Sequence, residues 1–127
     1  MLLACMPAAA CSYQYRIAAI ERAGAIVFEP DGAQGTGCLS DLTVHARNGA
    51  AVWAVRAAGY RAPPCVSRFP LTYGVTPTGM SERVKAAPLR PGTVYVVEAW
   101  DGDSYSGSFR LDRRIVVENL PDRRSRE

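Results

Sequence analysis

Histidine and lysine are almost missing from this chain of 127 residues: His45 and Lys85 each stand alone. A single histidine excludes a metal centre built from several imidazoles, and any Ser-His-Asp or Cys-His arrangement would have to use His45. No Cys-x-x-Cys pair occurs, which removes the usual cysteine zinc site. There is no Gly-x-Ser-x-Gly elbow for a nucleophilic serine. The glycines Gly32, Gly35 and Gly37 imitate a phosphate loop, but Cys38 and a strand-like segment follow where Gly-Lys-Ser/Thr and a helix are needed. Asp101 and Asp103 lack the further acids and closing glutamate of a calcium loop, so "DGD" reads as a hairpin turn. No apolar run reaches the ~18–20 residues of a membrane-spanning helix.

Charge is equally uninformative about partners. The formal net charge is +3, with arginine supplying every basic residue except Lys85. The densest basic run, Arg123, Arg124 and Arg126, reads as a solvated tail, and no nucleic-acid partner is expected. Among Glu21, Glu29, Glu82, Glu98 and Glu118 no pair stands out as a general acid and base. His45 lies opposite the apolar parity of its segment and faces solvent. These readings point away from an enzyme, and neither a cofactor nor a metal is expected.

What the chain does have is short strands. Hydrophobic content is 48%, enough for one core at this length. "SYQYRIAAI" (12–20) alternates, "ERAG" turns, and "AIVFEP" stops at Pro30. "LTVHARNGAAVWAV" (42–55) reads as a hairpin around Asn48-Gly49, a pair suited to the positive φ of a type I′ turn. Trp53 and Val55 share one face of the returning arm. "FPLTYGVTPTGM" is a broken strand, while "TVYVVEAW" and "SYSGSFRL" make a second hairpin across "DGD". Trp100 shares the parity of Glu98, on the outer face, as an interface residue or as a cover for a sheet edge. Tyr13, Tyr15, Tyr60 and Tyr73 are likewise not all required inward. Seven to nine short strands with turns about every ten residues indicate an all-β sandwich or barrel. Organisation follows: a leader remnant over 1–11, one β-domain over 12–118, and a charged tail over 119–127.

The stretch "LRPGTVYVV" sharpens the fold. Leu89 ends a segment, Pro91-Gly92 turns the chain, and Tyr95 enters the next strand facing inward. This resembles the corner before strand F in fibronectin type III and other immunoglobulin-like domains. The resemblance implies an antiparallel β-sandwich in which the Tyr95 hydroxyl bonds to backbone a few residues upstream, with Trp53 in the core. The run of a tryptophan strand, "LTYGVTP" and "PLRPGTVYVV" also resembles small exported proteins of Gram-negative bacteria.

The N-terminus fits export. Leu2-Leu3-Ala4-Cys5 resembles the lipobox of bacterial lipoproteins, and Ala8-Ala9-Ala10-Cys11 is a second match. Lipid on Cys5 is favoured by the motif; lipid on Cys11 would leave an even cysteine count. Export also implies that Cys38 and Cys65 pair, closing a loop worth roughly 3 kcal/mol. The expectation is therefore a non-catalytic periplasmic lipoprotein module, lipid-anchored to a membrane, that binds or scaffolds an envelope protein. The alternative is an inhibitor presenting the stiff loop 60–67, "YRAPPCVS", to an envelope hydrolase.

Overall fold

The computed structural model describes residues 14–31, 37–59, 65, 67–114 and 116–121. The strands are β1 (Gln14–Arg22), β2 (Ala25–Pro30), β3 (Asp41–Ala46), β4 (Ala51–Ala57), β5 (Leu71–Thr72), β6 (Met80–Val84), β7 (Tyr95–Trp100), β8 (Ser104–Leu111) and β9 (Val117–Leu120). No helix occurs among the described residues. The strands pair in the order β5-β2-β1-β8-β7-β3-β4-β6, with β9 also on β8. The open sheet curls strongly into a half-barrel, so that its two ends wrap one core.

Alternation in the sequence accounts for the central strands. Tyr95, Val97 and Ala99 of β7 point inward, and Val96, Glu98 and Trp100 point outward. Leu42 and Val44 of β3, Trp53 and Val55 of β4, and Tyr105, Phe109 and Leu111 of β8 join the same core. Aromatic rings span the curl: Phe28 of β2 lies 5.6 Å from Phe109, which is 5.7 Å from Tyr95. Ring contacts of this spacing add to the apolar area they remove from water.

The strand β1 joins the two halves of the sheet. Gln14, Tyr15 and Arg16 run parallel to Ser104, Tyr105 and Ser106 of β8. From Ile17 onward β1 instead pairs with β2. The crossing occurs at Gly107, where any Cβ would overlap the Ile17 carbonyl oxygen. Beyond it, β9 takes over the vacated edge of β8. The Asn119 side chain then imitates a peptide group: its Oδ1 accepts from Ala19 N–H at 2.8 Å and its Nδ2 donates to Ala19 C=O at 2.9 Å. Asn119 and Leu120 are thus strand residues, not part of the charged tail that composition assigned to 119–127.

One turn differs from expectation and one, in "ERAG", agrees with it. Neither Asn48 nor Gly49 has positive φ; Gly49 N–H closes a turn on Ala46 C=O at 2.9 Å, and the register shifts between Val44 and His45. A longer loop with a bulge therefore replaces the type I′ turn. The positive pair is Ala23-Gly24 (φ 50° and 84°), sitting between the partners Arg22 and Ala25. The strand β6 was not anticipated, because Ser81, Glu82 and Arg83 are all exposed and carry no alternation. Polar side chains of this kind suit a sheet edge.

Tyr73 closes the open side of the curl. It follows β5 at one end of the sheet, and its hydroxyl lies 2.6 Å from Ala87 C=O and 3.2 Å from Val52 C=O at the other. Its ring packs against Trp53 at 5.3 Å. Burial, the neighbouring Tyr95 hydroxyl and, opposing them, the bond to Ala87 together push the Tyr73 phenol up to about 12.

Candidate binding face

The outer face of β8, β7 and β3 is a grid set by strand register. One row runs Gln14, Ser104, Trp100, Asp41, Arg56. The next runs Arg16, Ser106, Glu98, Thr43, Ala54. A third holds Leu120, Ser108, Val96 and His45. Rigid neighbours hold the long side chains. Gln14 Nε2 donates to Ser106 Oγ at 3.1 Å, and Arg16 Nη2 donates to Leu120 C=O at 3.1 Å. Where β1 and β9 part over β8, a groove of about 200 Å³ opens, lined by Gln14, Arg16, Glu98, Ser106, Ser108 and Leu120 among others.

His45 sits on this face as its parity implies, a quarter exposed. Its Nε2 lies 3.0 Å from Glu98 Oε1, and its Nδ1 lies 2.8 Å from Ala46 C=O. Both partners accept, so a neutral ring donates to only one of them. Neither contact is to a nucleophile, and His45 here orders Glu98. Asp41, on the Trp100 row, has its carboxyl raised by burial and by Glu98, with Arg56 opposing. Glu21, Glu29, Glu82 and Glu118 are scattered: Glu29 meets Arg22, Glu118 meets Arg110, and Glu82 accepts from the Trp53 indole N–H at 3.1 Å.

The remaining residues singled out in the sequence act in the scaffold. Asp101 accepts from Asp103 N–H at 3.0 Å and from the Tyr105 hydroxyl at 2.9 Å, a turn with both oxygens used. Cys38 and Cys65 form a disulfide, with Cα atoms 6.0 Å apart. Nearby, Leu39 N–H bonds to Ser67 C=O, and Ser40 N–H bonds to Trp100 C=O. The bridge therefore fastens the loop side of the grid at the Trp100 row. Arg90 N–H donates to the Tyr95 hydroxyl at 2.8 Å, across the turn made by Pro91 and Gly92 after Leu89. Trp53 is fully buried, although it sits on β4, one strand over from β3. Trp100 is 42% exposed.

Cys5, Cys11, Tyr13, Gly32, Gly35, Tyr60, most of the loop 60–67 and the arginines of the tail lie outside the described residues. Among the described residues no three His, Cys, Asp or Glu side chains gather as metal ligands. Sequence reasoning did not single out Gln14, Arg16, Ser106 and Ser108 as a site; their outward parity in β1 and β8 was the signal that hinted at them. No protein-family model, curated protein or solved structure matches this chain.

Proposed function

We propose that the chain is a non-catalytic binding or scaffolding module of the bacterial cell envelope, an immunoglobulin-like sandwich tethered by lipid on Cys5 or Cys11. The observation that carries the recognition role is the ordered outer face. Gln14, Arg16 and Glu98 are already held by Ser106, Leu120 and His45, so a partner meets fixed groups and less rotamer freedom is lost on binding. An exposed indole at the same face, Trp100, is the side chain most enriched at energetic centres of interfaces.

The immunoglobulin-like assignment draws on topology. On that reading β8-β7-β3 stand for strands G-F-C and β1-β2-β5 for A-B-E, and the Tyr95–Arg90 bond supports a tyrosine corner. β6, β9 and the disulfide are additions to that plan. The Cys38–Cys65 bridge favours an oxidising compartment, in keeping with export.

The test is a pull-down from envelope extract with the wild-type chain and with a Glu98→Arg, Trp100→Ala double variant. Retention of a component by the first and not the second supports the reading. Turnover of an ester or glycoside panel that disappears with His45→Ala overturns it.

A further inference from the structure

The chemistry of the outer face narrows its ligand. We infer that this face binds a neutral oligosaccharide, one ring seated in the groove over β8 and the next stacked on Trp100. This rests on the binding-module reading and adds the class of ligand.

Charge is the first argument. Arg16 and Glu98 flank Ser106 in one row, so the groove offers a guanidinium and a carboxylate with the strand β8 between them. An anion gains Arg16 but meets Glu98, and a cation gains Glu98 but meets Arg16; farther along, Asp41 and Arg56 repeat the balance. Sugar hydroxyls both donate and accept, and so suit a guanidinium, a carboxylate and serine hydroxyls side by side. Size agrees. About 200 Å³ is below the range of roughly 300–1,000 Å³ for drug-sized ligands, and suits a single ring of a chain that continues across the surface.

Trp100 supplies the second element. It lies two residues from Glu98 on the same face of β7, roughly 7 Å along the strand. The C–H groups on a pyranose face are weakly electropositive and match the negative face of an indole. Position decides against an extended peptide. Peptides that join sheets pair with an edge strand, whereas β7 is hydrogen-bonded on both sides, to β8 and β3.

The probes are tetra-N-acetylchitotetraose and cellotetraose, titrated into the whole chain with tryptophan fluorescence and amide NMR shifts as readouts. Trp53 is buried, so a change in emission reports Trp100. At least one sugar is expected to give saturable shifts on β7 and β8. Trp100→Ala should weaken binding about tenfold and Glu98→Gln severalfold, with Ser81→Ala on the far edge strand unchanged. Both weakened variants alter exposed side chains and should melt with the wild type. No saturable response to either sugar, or an affinity left unchanged by Trp100→Ala, overturns the glycan assignment. If that failure comes with an envelope protein captured through the same face, the binding-module reading stands without it. If the pull-down fails too, both fall.

Discussion

Replacing Gly107 by alanine should be among the most damaging single-methyl changes available to this protein. The residue sits in β8 where β1 crosses, and an added Cβ would overlap the carbonyl oxygen of Ile17 and touch its carbon at 3.2 Å. Both obstacles are main chain, so no side-chain rotation relieves them and β1 or β8 must move. Overpacking of this kind costs about 1–3 kcal/mol. Moving β1 also disturbs the two Asn119 bonds to Ala19, each contributing about 1 kcal/mol. A loss of about 3 kcal/mol lowers the melting temperature by roughly 10–15 °C in a domain of this size. Thermal melts followed by circular dichroism measure it, with Ser106→Ala, one residue away and facing outward, as the control expected to change little. A Gly107→Ala melting point within about 2 °C of wild type would mean that β1 does not cross there, and the shared-strand topology would be wrong.

Four further outcomes are expected. Tyr95→Phe leaves the Arg90 N–H without its acceptor and should cost about 1–2 kcal/mol in denaturant titrations; no loss would remove the corner. Cys38→Ser should cost roughly 3 kcal/mol, matched by reductant treatment of the wild type, because the bridge spans 27 residues. Ala23→Gly should raise stability by up to about 1 kcal/mol by relieving the positive φ of 50°, and a destabilised variant would contradict that backbone. Tyr73 keeps its proton in the folded state up to about pH 12, above the ordinary phenol at 10.0, so folding loses support as pH rises through that interval. Ultraviolet titration should show a late-ionising phenol that is lost in Tyr73→Phe; an unchanged late phase in that variant would place it elsewhere.

Local chemistry made part of this legible in advance. Alternation in "TVYVVEAW" put Tyr95, Val97 and Ala99 inward and Glu98 and Trp100 outward, because a pleated strand turns successive side chains to opposite faces. "DGD" read as a turn because an aspartate can bond to its own backbone two residues on, as Asp101 does. The exposed, unpatterned β6 escaped notice, since an edge strand buries little and needs no period. Asn48-Gly49 misled for a related reason: dipeptide preference was outweighed by the bulge at His45.

Sequence alone determined the strands with one buried face, the inward Trp53 and Tyr95, and the residues available for chemistry. Tertiary structure decided the rest. Gln14 and Glu98 are far apart in the chain and share a face only through the parallel pairing of β1 with β8 and the antiparallel pairing of β8 with β7. Register between distant strands is set by the packing of the whole core, by one glycine that allows a crossing and by one asparagine that completes an edge. Periodicity within a segment carries the direction in which a side chain points, and carries nothing about which distant side chain it will stand beside.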